Sequence, residues 1–351
     1  MIVTLVARDV APSQILEKVR AELQAREGHE VRAVLAHGKP LDDFSVESIQ
    51  AMVLTSGFVL TGMSSSEKLS KEEIVAVQTA MDNDIPYGFV NDIFDCYKRP
   101  WFALFREKAS KLFVVAADEV VEAKQMFPNT DVVVSGNPCW EDYFDPTMPK
   151  GEIRKLLGIP DEHKVVLAVG GKDPIGNMVY GDTIRAAGRL AGYFDPAYTV
   201  VLAPHPGDPV KAENYECFAE FSKYPLVKVA KPGVIPTRDL IAASDVLVVL
   251  ASNLGIEAAC QRKPVIHYFH ELYKNKVQNS GGWPWKPVEM EIAVSAGVIQ
   301  ELGDRVEYYF DHYDRSVMRL RQEEVFPAVT EKGVAARKIC DALGALPVAK
   351  D

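Results

Sequence analysis

The chain has no pair of cysteines near enough in sequence to form a C-x-x-C motif. Its five, Cys96, Cys139, Cys217, Cys260 and Cys340, are odd in number and scattered over 351 residues. That excludes a disulfide framework or a zinc knuckle as the organising device, and a reducing cytoplasm is the expected location. Nowhere do about 18 apolar residues run together, as a membrane-spanning helix requires. The N-terminal MIVTLVARDVAPS carries no basic residue ahead of its apolar run, so no signal peptide is expected either. Positive charge is scarce, with 39 Lys and Arg against 49 Asp and Glu and a net charge of −10. A chain that neutralises nucleic-acid phosphates carries the opposite balance, so nucleic acid is not an expected partner. Also missing are a G-x-G-x-x-G after the first apolar run and the Ser or Thr that a P-loop needs after Lys172. These absences argue against a dinucleotide dehydrogenase and a P-loop nucleotidase.

What the chain does have is alternation. Short apolar runs separated by helix-period segments recur from end to end, the pattern of parallel sheets covered by helices on both faces. The expected strands of the first half are Ile2–Ala7, Glu30–Leu35, Gly57–Thr61, Ile85–Val90, Leu112–Ala116 and Val132–Ser135. The series restarts at Lys164 with KVVLAVGG and continues through Thr199–Ala203, Leu226–Ala230, Val246–Leu250 and Val265–Phe269. The length favours two domains of about 150 to 170 residues. The expected α/β architecture is therefore two Rossmann-like doubly wound domains facing a central cleft, spanning 1–145 and 146–326. A terminal helix over 327–351, beyond the break at Pro327, returns to the first domain. The spacing also predicts a helix over Lys71–Asn83, with Ser70 and Glu73 as an S-x-x-E capping pair. Ligands of open α/β sheets bind outside the carboxyl ends of the strands, so the loops after the strands are where function is sought.

Three such loops stand out in the second half. In KVVLAVGGKDP, Gly170 and Gly171 permit a tight turn, and Lys172 brings positive charge to a strand end. In VVLAPHPGD, His205 sits between Pro204 and Pro206, able to donate to a phosphate or to act as acid or base near neutral pH. In VLVVLASNLGIEAAC a helix is expected to begin around Leu254, with Ser252 and Asn253 at its cap. Gly255 leaves room for a phosphate, and Glu257 in the first turn is within reach of a ribose diol. The same residues also fit an ordinary helix cap that holds no ligand.

In order along the chain come GNP at Gly136–Pro138, GGK at 170–172, HP at His205 and Pro206, S-x-x-x-x-E from Ser252 to Glu257, a KP-V-I strand and a terminal helix. This succession resembles the GT-B superfamily, near the branch holding UDP-N-acetylglucosamine 2-epimerases, lipid A disaccharide synthase and CDP-glycerol transferases. The resemblance implies a second domain that binds a nucleotide sugar, UDP- or CDP-linked, as co-substrate, with no other cofactor and no required metal. It implies that Gly171 and Lys172 lie at the donor, Ser252, Asn253 and Gly255 meet the diphosphate, Glu257 the ribose and His205 a phosphate or the sugar. It further implies that Val234 and Ile235 in KPGVIP hold the base through backbone groups. Where the epimerases carry D-S-G-G-x-x-E-E, this chain has Ala251, Asn253, Leu254 and Ala258 at the Asp, Gly, Gly and second Glu. A glycosyltransferase acting on an acceptor hydroxyl is thus the expectation. The rivals are a nucleotide-sugar 2-epimerase and a non-catalytic nucleotide-sugar-binding protein.

For such a transferase the first domain supplies the acceptor site and a carboxylate base. Asp92, just after a buried run, and Glu67, in TGMSSSEK, are the candidates, with His205 a third catalytic one. Trp101, Phe102 and Phe105 among Lys98, Arg99, Arg106, Lys108 and Lys111 form an aromatic and basic run over 98–111. That run suits peripheral contact with an anionic membrane, or a core with a solvated basic face. Asp82-Asn83-Asp84 resembles a metal-binding D-x-D but ends a helix, and His267 and His270 lack a third ligand nearby.

Overall fold

The computed structural model describes residues 1–39, 45–191, 198–210, 212–216, 218, 226–279, 284–327 and 331–344. Among them run twelve strands: β1 (Ile2–Ala7), β2 (Glu30–Leu35), β3 (Phe58–Gly62), β4 (Tyr87–Val90), β5 (Lys111–Val114), β6 (Asp131–Val134), β7 (Lys164–Val169), β8 (Tyr198–Ala203), β9 (Leu226–Val229), β10 (Val246–Val249), β11 (Val265–Tyr268) and β12 (Val294–Ala296). They form two six-stranded sheets, ordered β2-β1-β3-β4-β5-β6 and β12-β11-β10-β7-β8-β9. Every pairing is parallel. The chain divides into two compact units, Met1–Asp142 with Val329–Asp351 and Tyr143–Ala328, one sheet in each.

Burial on both faces explains the apolar runs. On one face of the first sheet, Val6, Val59, Phe89, Leu112 and Val114 form a core with Ala76, Val77 and Ala80 of the helix Lys71–Asp82. On the other face Leu5, Phe58, Leu60, Val90 and Phe113 meet Ile15, Leu16, Val19 and Leu23 of the helix Val10–Gln24. Ile339, Cys340 and Leu343 of the last helix, Val334–Gly344, join this second core. That last helix begins where Glu141 reaches in from a distant turn to accept the amide hydrogens of Gly333 (2.6 Å) and Ala335 (2.7 Å), groups left unpaired at a helix start. The core of the second sheet includes Val166, Val200, Val248 and Ile266.

Strand order reverses direction between β1 and β3 in one sheet and between β7 and β10 in the other. These are the switch points outside which open α/β sheets take their ligands. The sequence expectation misses β12, three residues with a polar centre at Ser295 that lie on the edge of the second sheet. The S-x-x-E expectation fails in its chemistry. Ser70 makes no side-chain cap bond, and Glu73 turns into the core, because Ser64 offers it two donors there.

Candidate active site

In the second unit four strand-end loops converge on a cavity of about 260 Å³, to which β7 brings Gly170, β8 His205, β9 Ile235 and β10 Ser252 and Leu254. Neither glycine of the pair after β7 has positive φ, and it is Gly170 that is needed for space. A Cβ on Gly170 would run into the Tyr180 hydroxyl and Asn177 Oδ1. Asn177 Oδ1 accepts the Gly171 amide hydrogen at 2.8 Å, while its Nδ2 donates to Gly171 O at 3.1 Å and to Asp208 Oδ2 at 2.8 Å. Tyr215 also donates to Asp208 Oδ2, at 2.8 Å. Asn177 and Asp208 therefore tie the β7 and β8 loops together. Both stand in polar loop stretches whose side chains carry no periodic signal, which is why sequence reasoning passes over them.

His205 is held as a hydrogen-bond donor by its own loop backbone. Its Nδ1 accepts the Gly207 amide hydrogen at 2.8 Å, so the ring proton of the neutral form resides on Nε2. Partial burial, then the nearby Lys172 charge, hold its pKa below the usual histidine range. The Lys172 side chain lies over Gly207, where an added Cβ would come within 3.1 Å of its Cε. Lys172 thus flanks the β8 loop, and of the two glycines after β7 it is Gly170 that lies on the cavity wall. After β9, Lys231 to Val234 form a β-turn closed by Val234 N–H to Lys231 O at 3.2 Å, with Gly233 at φ +80°. Ile235 faces the cavity and is 8% exposed, whereas Val234 is 71% exposed on the surface.

At the opening of the helix Leu254–Cys260, Ser252 Oγ accepts the Leu254 amide hydrogen at 3.3 Å, and Asn253 caps without any side-chain bond. Gly255 has a packing reason to be glycine. Its Cβ would lie 2.8 Å from Cε1 and Nε2 of His267, so the helix can rest on β11 only without a side chain there. His267 is a structural residue, donating from Nδ1 to Leu250 O (2.7 Å) and accepting the Trp285 indole proton at Nε2 (3.2 Å). Burial pushes its pKa down to about 4. Glu257 does not line the cavity. Burial lifts its carboxyl to about 7, opposed by a hydrogen bond from Tyr143 and the charge of Arg238. The structure therefore brings His205, Ile235 and Ser252 together and leaves Val234, Asn253, Gly255 and Glu257 off the cavity wall.

The first unit treats its strand-end groups differently. Asp92 is buried, and its Oδ1 accepts from Arg99 Nη1 at 3.1 Å and Cys96 Sγ at 2.9 Å. Its carbonyl holds Asn137 Nδ2 at 2.8 Å, the structural use of the GNP motif, in which Gly136 takes φ +78°. Glu67 begins a 3-10 turn and is exposed. Two other glutamates are more deeply engaged. Glu73 accepts from Ser64 N (3.0 Å) and Oγ (2.7 Å), and Glu119 accepts from the amides of Asp95, Val115 and Ala116 at 2.8 to 3.1 Å. Burial raises both carboxyls to about 7. In the 98–111 run Phe102 and Phe105 are core residues. Lys98 pairs with Glu122 at 2.7 Å and Lys111 with Asp131 at 2.6 Å, leaving Leu104 as the large apolar side chain exposed there. Trp283, in the GGWPWKP loop, lies outside the described residues. A larger cavity, about 690 Å³, lies beside β12 and is lined by no strand-end group of β7 to β10. Among the described residues no helix is long and apolar enough to cross a membrane, and no three His, Cys, Asp or Glu side chains gather as metal ligands.

No family model and no curated protein sequence matches this chain. Solved structures do. A UDP-GlcNAc 2-epimerase from Neisseria meningitidis, bound to UDP-GlcNAc, superposes with TM-score 0.61 at 15% identity over 99% of this chain and 100% of the other. A glycosyltransferase from Rickettsia africae gives 0.61 at 14% identity over 97% of each chain. The wall teichoic acid polymerase TagF gives 0.52 at 13% identity over 98% of this chain and 87% of the other. This protein shares the two-unit parallel α/β fold of these structures, the GT-B fold.

Proposed function

We propose that the second unit binds the nucleotide portion of a UDP- or CDP-linked sugar at the β7–β10 strand ends, and that the protein is a metal-independent glycosyltransferase using an acceptor hydroxyl. The observation that carries this reading is His205, whose Nε2–H is fixed as a donor at the cavity by the Gly207 amide. A neutral donor at that place suits a phosphate oxygen, and the positive charge of Lys172 close by adds to the attraction. The KPGV turn, with Gly233 and Ile235 on the cavity wall, presents backbone groups suited to a base edge. At about 260 Å³ the space is below the roughly 300 to 1,000 Å³ of a drug-sized site, so it encloses only part of the nucleotide sugar. For the acceptor proton, Glu67 has the open reach, since Asp92 is already engaged by Arg99 and Cys96.

A nucleotide-sugar 2-epimerase is the second reading. It is favoured by the epimerases among the structures that share the fold and opposed by Leu254, whose side chain lines the cavity where that branch carries glycine. Two measurements separate them. A thermal-shift screen of UDP-, CDP-, GDP- and dTDP-sugars should raise the melting temperature with one base class, because a ligand of the folded state stabilises by mass action. The sugar is then followed by NMR. Inversion at C2 in the absence of any acceptor would replace the transferase by the epimerase, and no shift with any donor would sink both.

A further inference from the structure

Another cavity of the second unit, about 500 Å³, is lined by Phe144, Cys260, Arg262, Arg319, Glu323 and Pro327. Arg262 precedes β11, so this space lies at the amino ends of the parallel strands, the opposite end from the β7–β10 loops. Phe144 and Pro327 stand next to the limits of the unit, Tyr143 and Ala328, and the cavity therefore forms where its first and last residues meet.

Arg262 joins those two ends. It follows the helix Leu254–Cys260 at φ +56°, a left-handed position that glycine or asparagine usually takes after a helix. From there Nη1 donates to Ala259 O at 3.1 Å and to Cys260 O at 3.4 Å, carbonyls left open at the helix end, while Nη2 donates to Phe326 O. The guanidinium carbon lies 5.6 Å from the centre of the Phe144 ring. Of the five N–H groups of a guanidinium these bonds use three, all on neutral carbonyls, and Nε–H with one Nη2–H is left over. Among the described residues Arg262 makes no ion pair.

Arg319, on the same cavity wall, pairs through Nη2 with Oε1 of the half-exposed Glu323 at 2.8 Å. Burial first, and the Arg319 charge after it, hold the Arg262 guanidinium below its usual range, and the Glu323 charge acts against them. Arginine nevertheless keeps its proton. Two guanidiniums thus share one carboxylate, and the wall carries an uncompensated positive charge in a chain whose net charge is −10. Guanidinium forks match the oxygens of a phosphate or carboxylate two at a time, and Phe144 and Pro327 offer an apolar wall beside them. We propose that Arg262 and Arg319 form an anion site at the meeting of the unit's two ends, taking the oxyanion head of a small organic acid whose apolar body rests on Phe144 and Pro327. The site is separate from the nucleotide cavity and does not depend on the donor reading.

The test follows the arginine Nε–H resonances by NMR, assigned from Arg262→Gly and Arg319→Gln, while phenyl phosphate and benzoate are titrated into the intact chain. Glycine suits φ +56° and Arg319 is a partly exposed helix residue, so neither variant removes core packing. The Arg262 and Arg319 resonances should both move with at least one probe, and the probe that binds tighter tells a phosphate head from a carboxylate. Affinity should fall about tenfold in Arg319→Gln. It should rise about threefold in Glu323→Gln, which removes the competing carboxylate, an outcome that a purely structural ion pair does not give. Resonances that stay still with both probes overturn the site. So does an affinity unchanged in Arg319→Gln and Glu323→Gln, or binding at parental strength in Arg262→Gly.

Discussion

The two units are wound alike and use their strand ends differently. In the second, the loops after β7 and β8 are tied to each other by Asn177 and Asp208 beside a cavity that the β9 and β10 loops also line, with His205 aimed by its own backbone. In the first, the carboxylates near the corresponding loops are turned inward onto backbone amides, Glu73 at Ser64 and Glu119 at Asp95, Val115 and Ala116. One sheet end is braced by an Asn–Asp link between two loops beside a space; the other is braced by buried acids turned onto backbone amides. The same topology thus allows a preformed pocket or a laced platform, depending on where the hydrogen-bond partners of each loop are found.

The largest effect should come from cutting the lacing. Glu119→Ala leaves three amide hydrogens without an acceptor in a buried place, and a loss of about 3 kcal/mol or more is expected in urea unfolding, with UDP binding by the second unit retained. Loss of both together would mean that the two units do not behave separately.

Next comes pH. His267 takes up its proton near pH 4 when folded and near 6.5 when unfolded. Between those values the unfolded chain holds more protons, so stability falls as pH drops from 6.5 toward 4, by up to about 3 kcal/mol. Glu73 and Glu119 act in the opposite sense. Their folded values near 7 exceed the unfolded 4.5, so stability falls as pH rises from about 4.5 to 7. Urea midpoints measured across pH should lose their acid limb in His267→Gln and part of their neutral limb in Glu73→Gln. If either variant keeps the parent profile, that group does not control its limb.

Smaller still is a contrast within the second unit. Gly255→Ala pushes a methyl against His267 and should lower stability by about 1 to 3 kcal/mol while leaving UDP affinity alone. His205→Ala should do the reverse, weakening UDP about tenfold and changing stability by under about 0.5 kcal/mol. An affinity loss in Gly255→Ala equal to that in His205→Ala would restore the reading in which Gly255 makes room for phosphate.

Eleven strands are legible from apolar runs, because a parallel strand covered by helices is mostly apolar; β12 is not, because an edge strand of three residues with Ser295 at its centre carries no such run. The loops worth searching follow from the strands, and His205 and Ser252 are found that way. The inward turn of Glu73 is invisible, since the same Ser70 and Glu73 spacing serves a helix cap. Gly255 is recognisable as a place where a side chain is forbidden, but not what forbids it, because His267 lies on another strand.

Local patterning was enough to set the alternation of strands and helices and the loops at which chemistry could gather, since apolar period and turn residues act over a few neighbours. Which polar atoms face a cavity, which are consumed by the backbone and which stay unpaired was decided by contacts between segments tens of residues apart. A hydrogen bond depends on where its partner stands in space, and only the assembled sheets bring those partners within reach.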